Sequence, residues 1–144
     1  MFPPQGDGNC WFRSIASQAK RAGLPSRFSD HRQLRLEVAE HMKQLPEVIS
    51  ANIVDTVFKG KKRGLRNLAF RQAQDGQWID DNGVVALATA YLLQRNISVF
   101  SFPPRNSEED VATRTVIDGG VAANFQEPLT VFYHGKHYQA LQKS

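Results

Sequence analysis

The chain has 144 residues, of which 41% are hydrophobic and 10% aromatic. That suits a single ordinary globular domain, large enough to bury about two-thirds of its unfolded surface. Its 18 Lys and Arg against 14 Asp and Glu leave a formal net charge of +4, and much of the excess is local, in Lys59, Lys61, Lys62, Arg63, Arg66 and Arg71. With neither zinc-finger spacing nor an aromatic-basic RNA-binding strand beside it, this cluster reads as a solvated face, and no nucleic-acid partner is expected. The longest apolar run, Val84–Leu93, falls far short of the ~20 residues that cross a bilayer. The opening MFPPQGDGNC has no basic leader and no apolar core, so no secretory leader is expected. A lone cysteine, Cys10, closes no internal disulfide, which suits a reducing compartment.

In chain order, a first helix is expected from Cys10 to Ala22, stopped by Gly23 with Pro25 beyond. A second starts after Asp30, which caps it while Gln33 returns the bond. Leu34, Val38, Met42 and Leu45 give that helix one buried face. Pro46 opens a third helix carrying Val48, Ile49, Ile53, Val54 and Val57. A shorter helix spans Leu65 to Gln74 and ends at Asp75-Gly76, and Asn82-Gly83 opens an apolar helix over Val84–Leu93. Ile97 to Phe102, apolar on both faces, reads as a central strand. A strand follows at Thr113–Ile117. Leu129 to Tyr133, a tight His134-Gly135 turn and Lys136 to Leu141 form a hairpin. Helices first and a small, mainly antiparallel sheet last make an α+β fold.

Cys10 sits behind Gly6-Asp7-Gly8-Asn9 at the mouth of the first helix. Glycines let such a loop turn its amides toward one point, and a helix N-terminus favours the thiolate, the reactive form. The same amides suit the oxyanion of a tetrahedral intermediate. A small buried cysteine at a glycine-rich turn is the rival reading, and a base decides between them. His31 and His41 lie outside the apolar stripe of the second helix and are expected to be exposed. His134 falls in the hairpin turn. His137 opens the last strand and shares a face with Gln139, a base beside a group able to orient it. One Cys and no further clustered ligands argue against zinc, and no metal site is expected.

Asp7-Gly8-Asn9-Cys10 followed by Trp11-Phe12-Arg13-Ser14-Ile15-Ala16 closely resembles the nucleophile motif of ovarian-tumour (OTU) cysteine proteases. His31 to Val38 resembles that family's helix with a Leu-Arg pair. Trp78, Gly83 and Ala86-Leu87-Ala88 resemble its tryptophan segment and following helix, Ile97 to Phe100 its next strand, and His137-Tyr138 its terminal His-Tyr strand. The order holds from residue 6 to about 141.

The resemblance implies a papain-like OTU fold, with residues 1–144 as one catalytic domain, and a deubiquitinase cleaving after the Gly-Gly end of ubiquitin. Cys10 is then the nucleophile and His137 the general base. The amides of the Asp7–Cys10 loop form the oxyanion hole, with the Asp7 carboxylate as its organiser. Substrate contacts are expected from Gly8, Asn9, Trp11, Trp78 and Tyr138, although Trp11 and Phe12 also suit a core anchor and Trp78 equally suits core packing. Asp80-Asp81 and Glu108-Glu109-Asp110 are candidates for substrate contact by charge alone. No cofactor is implied. The implied partners are ubiquitin or polyubiquitin chains, or a ubiquitin-like protein, met by a monomer in the cytoplasm (the host's, for a viral or secreted bacterial enzyme). The chain departs from the family at Gln139, where Asp or Asn is common. Glutamine accepts an imidazole N–H through its amide oxygen but stabilises the imidazolium less than a carboxylate. Two alternatives stay open: a catalytically weak OTU-like module that binds ubiquitin, and a thiol hydrolase with another acyl substrate.

Overall fold

The structure, a computed structural model, describes residues 9–61, 63–74, 79, 83–101, 113–134 and 137–140, with the backbone alone for 121, 122, 134 and 137–140. Helix α1 runs Cys10–Arg21 and buries Trp11, Phe12, Ile15, Ala16 and Ala19. Each large side chain among these contributes ~1.5–3 kcal/mol by leaving water. The helix ends one residue before the expected Ala22. Gly23 takes φ +74°, its N–H donates to Lys20 O at 3.2 Å, and the Leu24 N–H donates to Ala19 O at 3.0 Å. That pair of bonds is a Schellman stop, which wants the left-handed conformation glycine supplies.

A 3-10 turn at Ser26–Phe28, not expected from the sequence, lowers Phe28 into the core. Asp30 then caps α2, His31–Met42, by accepting the Arg32 N–H at 3.0 Å. Gln33 is exposed and returns no bond among the described residues, so the reciprocal half of the expected cap is missing. Leu34, Val38, Met42 and Leu45 are buried as their spacing predicts. Helix α3, Glu47–Thr56, starts behind Pro46 and buries only Ile53, while Val48 is 81% exposed. Helix α4 is Gly64–Gln72; the expected Asp75-Gly76 stop lies outside the described residues. Helix α5, Val84–Leu93, starts and ends at left-handed residues, Gly83 and Gln94. It is apolar nearly all round because it is the buried centre of the helical layer, with Val85, Ala88, Thr89 and Ala90 inaccessible.

The strands are β1 Ile97–Ser101, β2 Thr113–Ile117, β3 Leu129–His134 and β4 His137–Ala140. They lie in the order β2-β1-β3-β4. The pairings β1–β2 and β3–β4 are antiparallel, and β1–β3 is parallel. Parallel neighbours need a long crossover, and the chain between β1 and β3 supplies it, running out through edge strand β2 and back through a 3-10 turn at Val121–Phe125. β1 is internal, as its two-sided apolar pattern predicts, with Ile97, Ser98 and Val99 all buried.

The hairpin corrects one expectation. His134 pairs directly with His137, so it ends β3 and does not sit in the turn, leaving residues 135–136, outside the described set, as the connection. Two more corrections concern α2, where His31 and His41 are half-buried, not exposed. α1 packs against β3 and β4, and α2 lies against α1, α4 and α5. The core is continuous from Trp11 and Phe12 through α2 and α5 to Ile97 and Val131. Among the described residues no helix is long and apolar enough to cross a membrane.

Candidate active site

Cys10 is the first residue of α1 and the only cysteine, 4% exposed. Its carbonyl accepts the Ser14 hydroxyl at 2.8 Å, one turn along. Asn9 is the N-cap, at φ −98° and ψ 0°, and its carbonyl accepts the Arg13 N–H at 2.9 Å. Its side chain makes no cap bond. Instead Asn9 Oδ1 accepts from Arg35 Nη2 at 2.7 Å, and Asn9 is 5% exposed. The carboxamide oxygen of Asn9, a residue expected at a substrate contact, is held by this internal bond to α2.

Trp11 is corrected in the same way. It is 1% exposed, and its indole N–H donates to Thr89 Oγ1 at 3.2 Å. No surface of the ring is left for a substrate, so its work is to lock α1 onto α5, the core role that the sequence also suits. Asp7, Gly8 and Trp78 lie outside the described residues, as do Asp80, Asp81 and residues 108–110.

β4 brings His137, Tyr138 and Gln139 to the site as strand positions. His137 pairs with His134, Tyr138 with Tyr133, and Gln139 with Phe132. Residues two apart on a strand share a face, so the backbone puts positions 137 and 139 on one side of β4. Because α1 packs against β4, the element that opens at Cys10 and the one that opens at His137 are direct neighbours. Among the described residues, no group of three or more His, Cys, Asp or Glu side chains comes together to hold a metal ion.

The arginine of the Leu-Arg pair in α2 also reaches the site neighbourhood. Arg35 is 2% exposed. Nη1 donates to Gln72 O at 2.8 Å and Nη2 to Asn9 Oδ1, while the guanidinium lies 4.4 Å from the Phe12 ring centroid. The signal was present in the helical period. Val38, Ala39 and Met42 follow Arg35 at i+3, i+4 and i+7, so the arginine sits on the buried stripe of α2. Elsewhere on α2, burial holds the His41 pKa below its ordinary value of 6.5.

The model of the family described as OTU-like cysteine protease matches residues 5–142. No curated protein matches the chain. Among solved structures the chain is similar to the OTU domain of OTUD1, at 20% identity and a TM-score of 0.69, covering 99% of this chain and 84% of that one. It is similar to an OTU deubiquitinase from Wolbachia pipientis wMel bound to ubiquitin, at 15% identity and a TM-score of 0.68, covering 98% and 93%. A third similar structure is the viral OTU domain protease from Dera Ghazi Khan virus, at 16% identity and a TM-score of 0.61, covering 99% and 80%. The family match over nearly the whole chain, with the helix opening at Cys10 laid against the strand opening at His137, gives the conclusion: this chain belongs to the OTU-like cysteine protease family.

Proposed function

We propose that this chain is a deubiquitinase, one catalytic domain over residues 1–144 that hydrolyses the peptide or isopeptide bond after the terminal Gly-Gly of ubiquitin. The observation that carries this reading is the family match over residues 5–142. Support for ubiquitin as the partner comes from the Wolbachia pipientis neighbour, an OTU deubiquitinase bound to ubiquitin. The chain acts as a monomer in a reducing, ubiquitin-containing cytoplasm and needs no cofactor.

In the proposed reaction, His137 takes the Cys10 thiol proton and the thiolate adds to the glycine carbonyl carbon. Backbone amides of the Asp7–Cys10 loop hold the resulting oxyanion, worth ~3–4 kcal/mol for one good donor. The tetrahedral intermediate collapses as imidazolium His137 gives its proton to the leaving amine, leaving a thioester on Cys10. Water, deprotonated by His137, attacks that thioester, and the thiol leaves with the proton restored. Gln139, on the His137 side of β4, accepts the second imidazole N–H and fixes the ring. Asp7 organises the loop, and Gly8 and Tyr138 flank the glycine tail. Trp78 lines the approach.

The test is hydrolysis of ubiquitin carrying a fluorogenic amide at its carboxyl terminus, run beside ubiquitin-like proteins with the same leaving group and small acyl esters. Turnover of the ubiquitin substrate alone supports the reading. Turnover only of a ubiquitin-like or small ester substrate replaces it with the corresponding thiol hydrolase.

A further inference from the structure

Taking a guanidinium out of water costs several kcal/mol, and an apolar side chain of similar shape often stabilises a core as well or better. Arg35, at 2% exposure, therefore calls for a reason beyond packing. Its planar fork reaches two separate parts of the chain, Gln72 O at the end of α4 and Asn9 Oδ1 beside Cys10. The Phe12 ring, 4.4 Å away, supports the guanidinium from below.

An Asn at an N-cap ordinarily turns its carboxamide oxygen onto the N–H of the second or third helical residue. Asn9 does not, and α1 begins with no side-chain cap from it. The oxygen that would cap the helix is the one Arg35 holds at 2.7 Å. We propose that Arg35 is a positioning residue for the nucleophile. By holding the Asn9 carboxamide, it fixes the backbone immediately before Cys10. The amides of that backbone are the ones proposed to hold the oxyanion, so their direction is set through Asn9. This inference rests on the thiol-protease reading of the site and adds the residue that sets its geometry.

The test uses Arg35→Met, Arg35→Lys and Asn9→Ala in the full chain, with two readouts. The first is the rate of Cys10 alkylation by iodoacetamide at one fixed pH, which needs no ubiquitin. In Arg35→Met the Asn9 carboxamide loses its anchor, and the backbone immediately before Cys10 is no longer fixed. The thiol is then held less well for attack, and alkylation slows by about ten-fold. Asn9→Ala breaks the same bond and slows alkylation alike, and the double variant adds little to either single change.

The second readout is turnover of the fluorogenic ubiquitin substrate. kcat of Arg35→Met falls by about 10²-fold with KM little changed, and Arg35→Lys, which keeps the charge but loses the fork, recovers only part. A wild-type alkylation rate and wild-type kcat in a folded Arg35→Met overturn the proposal. Should that variant not fold, Arg35→Lys carries the test by the same two readouts, and unchanged alkylation and kcat in it overturn the proposal. Absence of ubiquitin turnover by the wild type counts against the substrate reading only, since the alkylation series still decides the role of Arg35.

Discussion

The indole of Trp11 and the hydroxyl of Thr89 meet at 3.2 Å inside the core, one residue after Cys10 on α1 and midway along α5. Thr89 Oγ1 in turn donates to Val85 O at 2.7 Å, so α1 is pinned to the most deeply buried helix of the fold. Thr89→Val keeps the shape but leaves a buried indole N–H without its acceptor, a loss of ~1–3 kcal/mol. Urea unfolding checks this: the midpoint should fall with the slope unchanged. Trp11→Phe with Thr89→Val should lose less than the sum of the two single changes.

Gly119 tests the crossover between β2 and β3. A Cβ built there meets Arg95 O at 2.5 Å and Ala90 O at 2.8 Å, both backbone atoms at the end of α5. Its N–H also donates to Asn96 Oδ1 at 2.9 Å. Gly119→Ala should lower stability by about 2 kcal/mol, seen as a fall of several degrees in Tm. Gly23→Ala meets no atom within 4 Å and strains only the φ +74° backbone, so its loss should be nearer 1 kcal/mol.

His41 gives the stability a pH dependence of known sign. Burial holds its folded pKa below 6.5, so the unfolded chain binds the proton more tightly than the native state does. The stability is fully present above about 6.5 and is lost as pH falls through that value toward the depressed folded pKa. His41→Gln should therefore flatten the fall in urea midpoint between pH 7.5 and 5.5. An unchanged slope would show that His41 contributes nothing to it.

His137 and Gln139 are proposed to act on one imidazole, the first as base and the second as its orienter. Gln139→Ala should cost roughly 10-fold in kcat, and His137→Ala at least 10³-fold. Equal losses measured on the fluorogenic ubiquitin substrate would reverse that ranking. A neutral Gln139→Ala would leave the orienting role to another group.

Much of this architecture is legible in one dimension because local chemistry and tertiary packing agree. The stripe Leu34, Val38, Met42 marks α2, the all-round apolar run marks α5 as central, and Gly23 marks the end of α1. Pairing was less legible. β1 and β3 are parallel because the intervening chain leaves for the far edge and returns, and strand periodicity does not record that path. His134 looked like a turn residue because it precedes a glycine, yet ladder pairing extends β3 through it. At the site, Cys10 and the strand bearing His137 stood out by residue type and spacing. Asn9 suits a substrate contact by its place beside the nucleophile, and Trp11 suits either that or a core anchor; burial turns both inward, one to Arg35 and the other to Thr89. Arg35 itself lay in plain sight on a buried stripe, but a sequence does not say which carbonyls a buried guanidinium will find.

The central claim is that Cys10, served by His137, attacks the carboxyl end of ubiquitin. Intact-mass analysis after mixing the chain with ubiquitin bearing a carboxyl-terminal thiol-reactive group tests it most directly. The account predicts one ubiquitin-sized adduct on the wild type, none on Cys10→Ala, and slow formation on His137→Ala. No adduct on a folded wild type, or an adduct that persists on Cys10→Ala, would contradict it.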